Sequence, residues 1–138
     1  MLVIVDTLVA VSWIVPSQAS RAADDLLAGN RSFEAPEMLS FELRNALVRL
    51  ERRGLSNAEM SDAGLLLVER QVRQVSLAEQ GADLGGLLAL ARTEALSLFD
   101  AIYLDLAMRR SAALASRDAA LLTAARRRGL QALDVRSA

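Results

Sequence analysis

The chain has 138 residues and a net charge of −1, with 53% hydrophobic residues and a mean hydropathy of +0.26. It has no Cys and no His, and all 16 basic residues are arginine. Disulfides, thiolate nucleophiles, imidazole ligands or bases, Schiff-base lysines and the P-loop lysine are therefore excluded.

The first element is the apolar, β-branched run Leu2–Val5, which predicts a buried parallel strand ending at Asp6. Thr7–Val15 predicts a short helix stopped by Pro16, with Trp13, Ile14 and Val15 read as core ahead of a partner groove. Ser17 or Ser20 caps a second helix to about Ala28, closed by Gly29-Asn30. Phe33–Pro36 reads as a weak strand. Met38–Arg53 reads as a helix with Leu39, Leu43, Ala46, Leu47 and Leu50 on one face and Gly54 as its stop. Ser56 and Glu59 form a capping box for a helix running to about Arg70. Val72–Leu77 follows as a short strand, Leu84–Ala95 and Leu98–Arg110 as helices, Ala112–Ser116 as a strand, Ala119–Arg128 as a helix ended by Gly129, and Gln131–Val135 as a last strand. Strands alternating with helices predict one α/β domain spanning residues 1–138, with a parallel sheet covered on both faces. No apolar run is long enough to cross a bilayer, and Asp6 interrupts the apolar start, so the expected location is the cytoplasm. The high apolar content predicts either a partner surface or a well-filled Ala/Leu core.

Ligands of open parallel sheets bind beyond the carboxyl ends of the strands. Asp6 ends the first strand and Asp118 follows the Ala112–Ser116 strand, so both stand on one sheet edge. Asp100 opens a helix and shares a face with Tyr103, Leu104 and Ala107, where a charge needs a reason. Glu42 lies early in its own helix. Clustered carboxylates repel and lose hydration, so a chain that gathers them points to a bound cation. Oxygen ligands alone suit Mg²⁺ or Mn²⁺. Two of these acids also have a plainer reading: Asp6 as a turn residue, Asp118 as an N-cap, a role compatible with cation binding. Asp105 with Arg109 reads as a solvated helix pair, and Asp24, Asp25, Asp62 and Asp83 as surface or cap residues. Asp134 stands near enough to the same edge to be a weaker candidate. Arg49, Arg52 and Arg53, Arg109 and Arg110, and Arg126–Arg128 either meet phosphates or complement helix dipoles. Arg44 points away from Glu42, toward solvent, substrate or a partner.

These residues resemble a known family. Leu2–Thr7, Glu42–Leu47 with Asn45 three residues after Glu42, Leu90-Ala91 through Phe99-Asp100-Ala101 to Leu106-Ala107, and Ser116-Arg117-Asp118 with Leu121-Leu122 are similar to the four motifs of PIN-domain ribonucleases, within them the VapC-type toxins of bacterial toxin–antitoxin pairs. The resemblance covers the whole chain. It implies a three-layer α/β/α fold with a central parallel sheet of four or five short strands. It implies that Asp6, Glu42, Asp100 and Asp118 are the metal-binding and catalytic acids, with Thr7, Asn45 and Ser116 as supporting polar positions. Phe99 stands where the family often has Tyr, and no fifth acid closely follows Asp118. The implied activity is hydrolysis of RNA phosphodiesters with one or two Mg²⁺ or Mn²⁺ ions and a metal-activated water. The implied partners are RNA, a cognate antitoxin whose segment blocks the acidic pocket, and a second copy in a homodimer.

Other functions fit less well. Receiver-like or dehalogenase-like phosphoryl transfer needs a Lys, and Asp6-Thr7-Leu8 lacks a second Asp. No Gly-rich loop follows the first strand, as a nucleotide-binding module requires. A catalytically silent PIN-like interaction domain stays open as an alternative.

Overall fold

The computed structural model describes residues 1–136. The strands β1 (Leu2–Val5), β2 (Ser32–Pro36), β3 (Val72–Val75), β4 (Ala113–Ser116) and β5 (Ala132–Asp134) form one sheet in the order β3-β2-β1-β4-β5. Every pairing is parallel. A parallel sheet is covered on both faces, which is why Val3, Ile4, Val5, Leu114 and Ala115 are fully buried and apolar.

The helices follow the strands in chain order: α1 (Thr7–Ile14), a 3₁₀ turn at Pro16–Gln18, α2 (Arg21–Ala28), α3 (Leu39–Arg52), α4 (Ala58–Gln71), α5 (Leu77–Gln80), α6 (Leu84–Glu94), α7 (Leu98–Arg110) and α8 (Ala119–Arg127). Right-handed crossovers put α1–α4 on one face and α6–α8 on the other. This is the three-layer α/β/α fold expected of the sequence, with five strands. α1 packs against α2, α3 and α4, and α7 lies across β1, β2 and β4. The approach of α4 to α1 depends on Gly64, where an added Cβ would sit 2.3 Å from Ile14 Cγ2. Trp13 donates from Nε1 to the Ala23 carbonyl at 2.8 Å and packs edge-on against Phe33, tying α1 to α2 and β2.

Three local expectations are corrected. The α4 cap is Asn57, whose Oδ1 accepts from Met60 N–H at 2.8 Å, while Ser56 turns to the Ser61 hydroxyl at 2.9 Å. Two cap-competent residues stand side by side there, and the one with the extended backbone directly before the helix takes the role. The third strand stops at Val75, because Ser76 caps a short helix by accepting from Glu79 N–H at 3.1 Å. The Asp105–Arg109 pair forms at 2.7 Å but is not freely solvated: Gln80 Nε2 also donates to Asp105 Oδ2 at 2.8 Å and shields it.

The chain runs outward from β1 through β2 to β3, then crosses back to β4 on the other side of β1. The direction of strand order therefore reverses between β1 and β4. At their carboxyl ends lies the crevice that open α/β sheets use for ligands.

Candidate metal centre

Four helix N-termini face this crevice, and each carries one of the predicted acids. Asp6 is the N-cap of α1, Glu42 lies in the first turn of α3, Asp100 in the first turn of α7, and Asp118 is the N-cap of α8. The partial positive charge of a helix start offsets part of the repulsion among carboxylates.

Asp6 is buried, and both its oxygens are engaged. Val9 N–H donates to Oδ1 at 3.1 Å, and the buried Ser116 hydroxyl donates to Oδ2. Burial nevertheless pushes its pKa up to about 6, and Asp118 adds repulsion, against the lowering effect of those hydrogen bonds. Asp100 is also raised to about 6, first by desolvation, then by the neighbouring Asp118 carboxylate, and further by Asp6. Asp6, Asp100 and Asp118 thus share one electrostatic neighbourhood. Ser116 links two of them: besides donating to Asp6, its oxygen accepts from Asp118 N–H at 2.9 Å. Asp118 Oδ1 meanwhile caps α8 through Ala120 N–H at 2.8 Å, so its cap role is real.

Glu42 is held from a different side. The Tyr103 hydroxyl donates to its Oε1 at 2.8 Å and the Thr7 hydroxyl donates to the same oxygen at 3.2 Å. Tyr103 is buried, and burial keeps its phenol protonated well beyond its ordinary range. Sequence reasoning placed Tyr103 on the apolar face of α7 and missed its polar end. The signal was present in its spacing, three residues after Asp100 on one helix face.

Other candidates fall elsewhere. Asn45 is exposed and has no side-chain hydrogen bond among the described residues. Asp134 pairs with Ser116 in the β4–β5 register, but its carboxylate is occupied by Arg136, which holds it down at about 2. Arg136 also feels the Asp118 charge. Arg44 bonds Glu69 at 3.4 Å on the surface. Arg109, Arg110, Arg126 and Arg127 occupy last helical turns, where they complement dipoles. Arg110 binds Glu34, and Arg127 binds Glu94.

No salt bridge reaches Asp6, Glu42, Asp100 or Asp118 among the described residues. Nor is any group of three or more carboxylates there drawn tightly enough to hold a metal ion as it stands. Asp6 is turned onto Ser116 and Val9, which accounts for part of that looseness. The donor set still fits a hard divalent cation: it consists of oxygens, it repels itself, and it forms no salt bridge among the described residues.

Beside the acids runs an apolar groove of about 810 Å³ lined by Met38, Phe41, Leu84, Leu98, Phe99 and Ile102. Phe41 is 80% exposed, Leu84 67% and Phe99 56%. Phe41 and Phe99 immediately precede Glu42 and Asp100. Glu37 and Glu79 also line the groove; Glu79 is paired with Arg73 and Arg110, while Glu37 makes no salt bridge among the described residues.

The comparisons with known proteins agree with this architecture. The family model of the PIN domain matches residues 3–127. VapBC2 from Rickettsia felis, solved bound to a DNA fragment from its promoter, is 16% identical, with a TM-score of 0.67 over 97% of this chain and 98% of that one. PAE2754 from Pyrobaculum aerophilum is 18% identical, with a TM-score of 0.66 over 96% of this chain and 84% of that one. FitAcB from Neisseria gonorrhoeae is 16% identical, with a TM-score of 0.64 over 96% of both chains. At these identities the similarity is one of fold. No curated protein matches the sequence significantly. With the family model spanning nearly the whole chain, the protein belongs to the PIN domain family.

Proposed function

We propose that the protein is a divalent-metal-dependent endoribonuclease, the VapC-type toxin of a toxin–antitoxin pair, acting as one domain in the cytoplasm. The observation that carries this reading is the shared electrostatic neighbourhood of Asp6, Asp100 and Asp118 at the strand-order reversal, with no salt bridge to any of them among the described residues. PIN domains are generally nucleases, which fits such a site.

Asp6, Asp100, Asp118 and Glu42 would hold Mg²⁺ or Mn²⁺. A divalent cation bound there supplies Lewis acidity and a water of lowered pKa for attack on phosphorus. The chain's own residues do the rest. Ser116 keeps Asp6 and the start of α8 in fixed register. The four helix N-termini favour anions at the crevice, a scissile phosphate included. The absence of His agrees with a route that does not depend on imidazole acid–base catalysis through the 2′-hydroxyl.

The apolar groove is the surface we propose for the antitoxin. Its exposed Phe41, Leu84 and Phe99, its Glu37, and the acids alongside suit an apolar segment carrying a basic residue. Such a segment would cover the groove and place a guanidinium or ammonium among the carboxylates. A homodimer is the proposed assembly, tested by light scattering of the purified chain.

The deciding experiment is cleavage of a mixed RNA pool by purified protein with Mg²⁺, with Mn²⁺ and with chelator. Cleavage with either metal and none with chelator supports the nuclease. Metal-independent cleavage, or none under any condition for chain shown to be folded, sinks it; in the second case the silent interaction domain takes its place.

A further inference from the structure

Thr7 Oγ1, Tyr103 Oη and Glu42 Oε1 form a closed triangle. Its sides are 3.2 Å from Thr7 to Glu42, 2.8 Å from Tyr103 to Glu42, and 3.2 Å between the two hydroxyls. Three elements meet in it: α1, which follows Asp6; α3, which carries Glu42; and α7, which carries Asp100 one turn before Tyr103. We propose that Tyr103 is the positioning residue of this site, with Thr7 as its helper, fixing Glu42 so that one carboxylate oxygen is consumed and the other is presented to the cation. This rests on the metal-dependent reading above and goes beyond it by assigning a role to a side chain outside the acidic quartet.

The loading of the carboxylate is the first reason. Both donors converge on Oε1, while Oε2 has no hydrogen-bond donor among the described residues. A glutamate side chain has several rotatable bonds and loses much freedom when it becomes a ligand. Two hydrogen bonds to one oxygen remove that freedom before the ion arrives. The second reason is the choice of residue. Tyr103 is only 1% exposed, so its hydroxyl is kept from water and needs a partner. A Phe would fill the same space in the core without that demand. The third reason is mechanical. Asp100 and Tyr103 sit three residues apart on one rigid helix, so fixing Glu42 to Tyr103 fixes it relative to Asp100 as well. No other side-chain hydrogen bond ties Glu42 to the crevice among the described residues. Partners of this kind orient ligating carboxylates, and losing one typically costs about 10–100-fold in metal affinity or activity.

The test is a Mn²⁺ titration of the metal-free protein, read by the electron paramagnetic resonance signal of free Mn²⁺, on wild type, Tyr103→Phe, Thr7→Val, Thr7→Ser and Glu42→Gln. Melting without metal is measured alongside. The expected result is that Tyr103→Phe weakens Mn²⁺ binding about 10–100-fold. Thr7→Val weakens it less, Thr7→Ser restores it, and Tyr103→Phe loses nothing further when combined with Glu42→Gln. With RNA, kcat falls and KM stays, because both hydroxyls are spent on Glu42. Wild-type affinity in Tyr103→Phe, while Glu42→Gln is weakened, overturns the role of Tyr103 and leaves the metal site standing. Wild-type protein that binds no Mn²⁺ overturns both. If Tyr103→Phe does not fold, Thr7→Val against Thr7→Ser decides: an equal affinity in these two overturns the triangle, and a loss that only Ser repairs supports it.

Discussion

Glu94 and Asp6 are both buried acids, and the structure treats them in opposite ways. Glu94 closes α6 and receives two guanidinium groups, Arg127 at 3.2 Å and Arg128 at 2.8 Å. Asp6 receives a hydroxyl and a backbone N–H but no cation, and its neighbours Asp118 and Asp100 are acids. The desolvation cost of the first is offset inside the chain. That of the second is left standing, and the carboxyl responds by holding its proton up to about pH 6. The difference separates an acid neutralised by ion pairs from an acid that none of the described residues' salt bridges reaches.

The sharpest way to break this comparison is to neutralise each in turn. Asp6→Asn is expected to lower metal-dependent RNA cleavage at least about a hundredfold, nearly 3 kcal/mol of transition-state stabilisation, with the fold retained. Glu94→Gln is expected to do the reverse. It costs about 1–2 kcal/mol in urea unfolding, since the half-exposed arginines regain water, and leaves cleavage within about threefold of wild type. Equal effects of the two substitutions on cleavage would erase the distinction.

A smaller effect is expected from Ser116→Ala. It removes the hydroxyl that supports ionised Asp6 and orders Asp118, and should weaken Mn²⁺ binding about tenfold in a titration of metal-free protein. Binding stronger than wild type would mean that Ser116 restrains the acids rather than supporting them.

The smallest effect concerns pH. Asp6 and Asp100 have folded-state values near 6 against an ordinary 3.8, so the folded chain binds more protons than the unfolded chain in between. Their contribution to stability is full below about pH 4 and is lost as pH rises through about 6. Asp134, held at about 2 by Arg136, acts with the opposite sign and only below that window. Metal-free Asp100→Asn should therefore gain on wild type as pH rises from 4 to 7. The gain is about 1 kcal/mol once the half-exposure of Asp100 is discounted for solvent screening. Saturating Mn²⁺ should remove or reverse it. A difference between the two proteins that does not change with pH would show that Asp100 carries no unrelieved charge.

Much of the scaffold was legible because it is written locally. The β-branched run Leu2–Val5, the stop at Pro16 and the turn at Gly129 act on their own neighbours in sequence, and the elements fall where those signals put them. Asp6 and Asp118 could be placed on one edge because parallel strands share a direction. What stayed hidden is interaction between distant elements. Tyr103 looks apolar along α7, and only the arrival of Glu42 from α3 gives its hydroxyl a task. Glu94 reads as an ordinary helical acid until α8 delivers Arg127 and Arg128. The Ser56–Asn57 choice failed for a different reason: both residues cap well, and a shift of a single residue decides between them.

The Ser116–Asp6 hydrogen bond joins positions 110 residues apart. A ribosome making this chain therefore releases β1, α1 and α3 long before β4 and α8 exist. The crevice is incomplete throughout that interval, and the nascent polypeptide carries only Asp6, Glu42 and then Asp100 without their last companion. The four acids come together only once β4 and α8 have packed against β1, so the crevice is the last part of this fold to be completed.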